Sequence, residues 1–220
     1  MIQIEQTADG SQTLFVPELN EHYHSVKGAL TESEHIFIQM GLKHSSVEAP
    51  HVLEIGFGTG LNAFLTLLTA ATDQRNIHYT TLERYPVTPA LIEQLTYPEL
   101  ICPERKDDFQ ALHQAAWNTD VQLTPYFTLH KVETDFTSYT FPATYDVIYF
   151  DAFAPEKQPE MWTQSLFDTL YQQLNPQGIL TSYCAKGTVR CMLQAAGFMV
   201  ERLPGPPGGK REILRATKRL

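Results

Sequence analysis

Val52-Leu-Glu-Ile-Gly-Phe-Gly-Thr-Gly-Leu61 is the stretch from which the rest of the chain can be read. Val52 to Ile55 form a short, mostly apolar run suited to a buried strand, and glycines follow at 56, 58 and 60. Three glycines in five residues let a backbone turn sharply and approach a ligand with no Cβ in the way. A helix beginning near Gly60 presents free N–H groups to that ligand. The pattern therefore predicts a strand–turn–helix unit that holds a nucleotide-like molecule.

Outward from this unit, strands alternate with helices. On the N-terminal side, Thr13-Leu-Phe-Val-Pro17 after Ala8-Asp-Gly-Ser11 predicts a turn and a peripheral strand, and Glu21–Ala29 reads as a structured loop. Thr31 opens a helix to Gly41, with Glu34 three residues on completing a capping box. On the other side the spacing predicts a helix over 61–71, a strand over 78–83, helices from Pro86 to about Gln94 and over 108–117, and strands over 126–132 and 145–151. A helix over 159–174, stopped by Asn175-Pro-Gln-Gly178, precedes a strand over 179–184 and a helix over 187–196. Two last strands, 198–203 and 212–217, flank Pro204-Gly-Pro-Pro-Gly-Gly-Lys-Arg211. The alternation implies an α/β fold with a doubly wound, mostly parallel sheet of seven strands. The last two strands leave no room for a helix between them and close the sheet as an antiparallel hairpin.

The 220 residues suffice for one domain, expected over 1–220 with 1–45 as an N-terminal cover. A composition of 43% hydrophobic and 19% charged residues is ordinary for a globular chain. No apolar run approaches a membrane span, and the opening Met-Ile-Gln-Ile-Glu is unlike a secretory leader, so a cytoplasmic protein with no membrane partner is expected. Cys102, Cys184 and Cys191 are not spaced as a metal knuckle and read as reduced thiols. His22 and His24 look most metal-like but read more simply as exposed surface, so no metal is expected. A net charge of −9 argues against non-specific coating of nucleic acid. Lys186 to Leu220 nevertheless holds eight Lys and Arg against two acids, a single basic edge on an acidic chain.

In such sheets ligands bind beyond the carboxyl ends of the strands, where the strand order reverses. Glu54 lies at the end of the first strand with the glycines, Glu83 at the end of the second, Asp135 just past the third and Asp151 at the end of the fourth. A carboxylate offers paired acceptors, so Glu83 suits both hydroxyls of a ribose and Asp135 the edge of a ribose or adenine. Solvated strand ends are the competing reading. Gly56-Phe-Gly-Thr-Gly60 is Gly-x-Gly-x-Gly, unlike the Gly-x-Gly-x-x-Gly of dinucleotide-binding turns. With Glu54 ahead of it and the antiparallel closing hairpin, it resembles the class I S-adenosyl-L-methionine-dependent methyltransferases, which implies their Rossmann-like fold.

Asp151-Ala-Phe-Ala-Pro-Glu-Lys-Gln-Pro-Glu-Met-Trp162 resembles the corresponding stretch in the methyltransferase domain of the MnmC family, bifunctional enzymes that finish the 5-methylaminomethyl group on tRNA wobble uridines. Glu54–Asn62, Gln194-Ala-Ala-Gly-Phe198 and Gly209-Lys-Arg-Glu212 extend the likeness over about residues 20–216. The resemblance implies S-adenosyl-L-methionine as cofactor, and the expected binding set is Tyr23, Glu54, Gly56, Gly58, Gly60, Asn62, Glu83, Asp135 and Phe136. The family's FAD-dependent oxidase domain has no counterpart. A stand-alone methyltransferase half without FAD is therefore expected, one that methylates 5-aminomethyluridine, 2-thiolated or not, in the tRNA anticodon loop after another enzyme supplies the amine.

Methyl transfer from a sulfonium to an amine is an in-line displacement, in which alignment lowers much of the barrier. Asp151 would accept a hydrogen bond from the amine, orient its lone pair and stabilise the cationic product. With an ordinary carboxylate pKa of about 4 it is a poor base for an alkylamine, so positioning is its expected role, and capping of the next loop the alternative. Phe153, Trp162 and Tyr183, with Tyr23, are candidates to stack on adenine or a flipped wobble base, or else core residues. Lys186, Arg190, Lys210 and Arg211 lie on loops at the same sheet end, either to meet tRNA phosphate or as plain solvated cations. Two rivals stay open: an aminopropyltransferase of the spermidine synthase type, and a non-enzymatic module that binds adenosyl compounds.

Overall fold

The computed structural model describes residues 2–220. Three short strands, β1 (Gln3–Gln6), β2 (Gln12–Val16) and β3 (Glu21–His22), form a small antiparallel sheet. Helix α1 (Ala29–Ser33) follows and runs into a π-helical turn over Glu34–Gln39. Next come β4 (His51–Ile55), α2 (Leu61–Asp73), β5 (Ile77–Glu83), α3 (Pro89–Ile92), α4 (Tyr97–Ile101) and α5 (Lys106–Gln114). The chain then forms β6 (Asp120–Thr124), β7 (Phe127–Glu133), β8 (Tyr145–Phe150), α6 (Gln164–Gln173), β9 (Leu174–Ser182), α7 (Gly187–Ala196), β10 (Met199–Pro204) and β11 (Glu212–Thr217).

The main sheet has eight strands in the order β10-β11-β9-β8-β4-β5-β7-β6, one more than expected. The extra strand is β6, an edge strand antiparallel to β7, whose Asp120-Val-Gln-Leu-Thr124 alternates polar and apolar over only five residues and buries none of them fully. β9, β8, β4, β5 and β7 run parallel, and β10 and β11 close the other edge as the expected antiparallel hairpin. Alternation along the strands sorts the core into two layers. Val52, Tyr79, Val147 and Tyr149 face α2 and α5, while Leu53, Ile55, Ile148 and Phe150 face α6 and α7.

Strand order creates the crevice. From β4 the chain builds β5 and β7 to one side, then returns to lay β8 on the other side of β4. The reversal leaves a gap beyond the carboxyl ends of β4 and β8, where ligands bind in doubly wound sheets. The gap is pinned by Gly56 N donating to Leu82 O at 3.0 Å and Asp151 N donating to Ile55 O at 3.2 Å.

Several local expectations fail: the helix expected over 159–174 begins only at Gln164, and residues 175–178, expected to stop it, lie within β9. The capping box at Thr31 and Glu34 does not form, because the start of α1 is capped from the β1–β2 turn. Ser11 Oγ accepts from the Ala29 and Leu30 amides at 3.1 Å each, and Asp9 Oδ2 from the Thr31 amide at 2.8 Å. Thr31 Oγ1 itself donates to Asp9, and Glu34 accepts from Gln39 Nε2. The helix expected from Pro86 shortens to α3, since its start waits for Pro89 at the first helical positions.

Candidate active site

Gly56, Gly58 and Gly60 have φ of 94°, 50° and 74°, and they carry the chain over the sheet end into α2. At Gly58 the missing Cβ also makes room: an added one would lie 2.8 Å from Tyr23 Cδ1. Gly58 N donates to Glu83 Oε2 at 3.0 Å, and Glu83 Oε1 accepts from Tyr85 N at 2.8 Å. A carboxylate holds about four acceptor sites, so these two bonds leave Glu83 capacity for hydroxyls. Gly56, Gly58, Glu83, Asp135, Phe136 and Asp151 line one cavity together with Tyr23 and Phe153. Asp135 caps the turn over Phe136–Ser138 by accepting from Thr137 N at 2.9 Å, and its Oδ2 lies 2.7 Å from Arg84 Nη1. Hydrogen bonds from Thr137, with Arg84 adding to them, hold its pKa below the usual carboxylate range.

Asp151 also lines a second pocket, with Glu21, Glu32, Phe153, Tyr183 and Lys210. The two cavities share Asp151 with Tyr23, His24, Ala152 and Phe153. Asn62 Nδ2 donates to Asp151 Oδ2 at 2.8 Å. Burial, and next the charge of Glu32, push the Asp151 pKa well above the ordinary range. This carboxyl therefore differs from the ordinary carboxylate assumed from the sequence. Tyr23 meets Phe153 edge-on with centroids 5.1 Å apart, and burial pushes its phenol up to about 12, so it is a neutral hydroxyl.

Several expected site residues lie elsewhere. Glu54 is fully buried and accepts from Thr81 Oγ1 at 2.7 Å. As the penultimate residue of β4 it projects beneath α2, while the chain turns over the sheet end only after Ile55. Asn62 reaches Asp151 and does not line the cavity, and Gly60 packs against His113. Trp162 is a core residue, 5% exposed, whose ring meets Phe150 and whose Nε1 donates to Phe153 O at 2.8 Å. It pins the 151–153 loop from behind. Lys186 pairs with Glu156 and, like half-buried Arg190 and exposed Arg211, lines neither cavity. Among the four cations Lys210 alone lines the second pocket, and Tyr183 lies beside it.

His24, read as surface, is buried and lines both cavities. Its Nε2 lies 2.9 Å from Thr59 Oγ1 on the glycine loop, and burial depresses its pKa to about 4, so the ring is neutral. His22 pairs with Glu5. Sequence reasoning also missed Glu32. The partners of His24 and Glu32 stand 35 and 178 positions away, beyond the reach of local spacing.

A doubly wound sheet with a glycine loop at its switch point, an acid ending the next strand and an antiparallel closing hairpin defines a class I methyltransferase fold. Residues 104–219 match the family described as S-adenosyl-L-methionine-dependent methyltransferase, and the chain belongs to it. Among curated relatives, the tRNA 5-methylaminomethyl-2-thiouridine biosynthesis bifunctional protein MnmC of Magnetococcus marinus is 33% identical over 223 residues, covering 94% of this chain and 32% of that protein. The protein of the same name from Cupriavidus metallidurans is 30% identical, covering 91% and 32%. The chain thus spans about a third of the length of the curated relatives it matches. Among solved structures, MNMC2 from Aquifex aeolicus superposes on the whole chain and 71% of its own, with a TM-score of 0.80 at 23% identity. Spermidine synthase from Thermotoga maritima shares the fold with a TM-score of 0.58 at 16% identity, over 99% of this chain and 72% of its own.

Proposed function

We propose that this chain methylates the amine of 5-aminomethyluridine, with or without a 2-thio group, at the wobble position of tRNA in the cytoplasm. A separate enzyme supplies that amine. The observation that carries the reading is the position of Asp151, which lines both the glycine-loop cavity and the acidic, aromatic pocket beside it. Relatives named for methylaminomethyl-thiouridine biosynthesis support the choice of substrate, whereas the aminopropyltransferase reading rests on likeness of fold alone.

The first cavity suits an adenosyl sulfonium. Gly56 and Gly58 offer backbone without a Cβ, Glu83 has acceptors left for ribose hydroxyls, and Leu82, Phe136 and Met161 supply apolar wall for an adenine. Bound there, S-adenosyl-L-methionine would supply an electrophilic methyl, the electron pair of the C–S bond staying with sulfur. Asp151 accepts a hydrogen bond from the incoming amine and is placed between the two cavities to take its proton. Asn62 fixes the direction of that carboxylate. Residues 1–45 act as a cover, bringing Tyr23 and His24 over the glycine loop.

Purified protein incubated with the cofactor and tRNA carrying 5-aminomethyluridine is expected to yield the methylated nucleoside by mass spectrometry. Asp151→Asn is expected to reduce turnover by roughly 10²-fold or more while cofactor affinity stays within about twofold. Unchanged turnover in that variant would remove Asp151 from the chemistry.

A further inference from the structure

The second pocket already holds an ammonium group. Lys210, on the loop between β10 and β11, directs its Nζ to the Glu32 carboxylate and over the Tyr183 ring, 4.3 Å from the centroid. Glu32 is fixed independently of that partner. Its side chain is 8% exposed, it lies in the first turn of α1, and its other oxygen accepts from Ser25 N at 3.0 Å. Asp151 opens onto the same space, and Phe153 with Tyr23 forms an aromatic wall.

Two carboxylates beside aromatic faces suit a protonated primary amine, which gains charge-assisted hydrogen bonds and the attraction of the ring quadrupole. An alkylamine with a pKa near that of lysine, about 10.4, arrives almost wholly protonated at neutral pH. A lysine side chain and an aminomethyl base end in the same CH2–NH3+ group. We propose that Glu32 is the carboxylate that docks the substrate's amine, and that the Lys210 ammonium keeps this seat until the aminomethyl group displaces it. The inference rests on the aminomethyl substrate proposed above and adds a specificity-determining residue to it.

In that arrangement Glu32 takes the charge of the arriving cation and Asp151, which alone of the two lines the cofactor cavity, receives a proton from its nitrogen. The freed lone pair forms the new N–C bond as the C–S bond breaks, and the proton passes from Asp151 to solvent. The seat selects a cation: an uncharged amide in place of the amine leaves Glu32 with Lys210.

The test is a calorimetric titration of the full chain, saturated with S-adenosylhomocysteine, using 5-aminomethyluridine nucleoside and its N-acetylated, uncharged analogue. The amine is expected to bind at least tenfold more tightly than the amide. Glu32→Gln should remove that tenfold preference while leaving affinity for S-adenosylhomocysteine unchanged, and Lys210→Met, by emptying the seat, should tighten amine binding severalfold. Wild-type amine affinity in Glu32→Gln, or equal weakening in both variants as a merely structural ion pair would give, overturns the inference. If Glu32→Gln folds poorly, Lys210→Met alone decides, because an emptied seat binds the amine more tightly and a broken brace does not. Failure of the wild-type chain to methylate amine-bearing tRNA sinks the functional reading instead, whatever the nucleoside titration shows.

Discussion

Gly58 concentrates at one position two demands that no other residue meets. Its φ of 50° is costly for a residue with a Cβ, by about 1 kcal/mol, and an added Cβ would press on the Tyr23 ring at 2.8 Å. Tyr23 cannot retreat freely, because Phe153 stands edge-on behind it. Gly58→Ala is therefore expected to push Tyr23 off the loop and weaken S-adenosyl-L-methionine binding by about tenfold or more, the equivalent of about 1.4 kcal/mol, in a calorimetric titration. Gly187→Ala, where an added Cβ meets nothing within 4 Å, serves as the control and should bind as the parent does. Residues of this kind were legible before any coordinates, since glycine spacing and an acid at a strand end are local signals. Trp162 was not: aromatic identity does not say whether a ring faces the pocket or props the loop from behind. His24 was misread as surface and Glu32 passed over for another reason, as both take their meaning from side chains far away in sequence.

At the scale of elements, the same distinction separates what periodicity announces from what long-range contact decides. The parallel strands, α2, α7 and the closing hairpin followed from apolar runs and glycine stops, whereas β6 alternates polar and apolar over only five residues, too short a run to stand out without its pairing with β7. The start of α1 is the clearest case, because a local capping box loses to Asp9 and Ser11 reaching across from the β1–β2 turn. Asp9 accepts from Ser11, Thr31 and Thr7; although burial opposes ionisation, these hydrogen bonds outweigh it and hold its pKa at about 2, below the ordinary 3.8. Asp9→Ala should cost about 1–2 kcal/mol in urea unfolding at neutral pH, the range for a lost cap. A depressed folded pKa stabilises above the unfolded value and the benefit is lost as pH falls through the folded one. The gap between variant and parent should thus close between about pH 4 and pH 2; a gap that persists at pH 2 would show that packing, not the charge, does the work.

Considered as a whole, the molecule is acidic, and the substrate proposed for it is a polyanion. Of its eight C-terminal cations, Lys186, Arg202, Lys210 and Arg215 are in ion pairs with Glu156, Glu212, Glu32 and Glu201. Four remain, and at about 0.7–0.9 released counterions per phosphate contact the slope of log affinity against log salt for tRNA should be shallower than about 4. A filter-binding series that gave a steeper slope would demand a basic surface these contacts do not supply. Stability is set by a different population of charges, distributed over the whole fold. Burial holds His24 in the cover, His51 in β4 and His113 in α5 at pKa values of about 4, against an ordinary 6.5. The unfolded chain takes up these protons first, so the stability they confer is present above about pH 6.5 and drains away as pH falls to about 4. Glu54 and Asp151 act oppositely: burial raises both, so each favours the fold below the ordinary carboxylate value and withdraws that support as pH rises. A difference measurement separates the two. His113 packs between Phe57 and Phe109, so His113→Phe keeps ring packing while removing the titration. Between pH 7 and pH 4 the parent should lose more stability than this variant, by at most about 3 kcal/mol. Parallel melting curves across that window would mean that water reaches the His113 ring in the folded chain, and that the layer beneath the glycine loop is looser than its contacts imply.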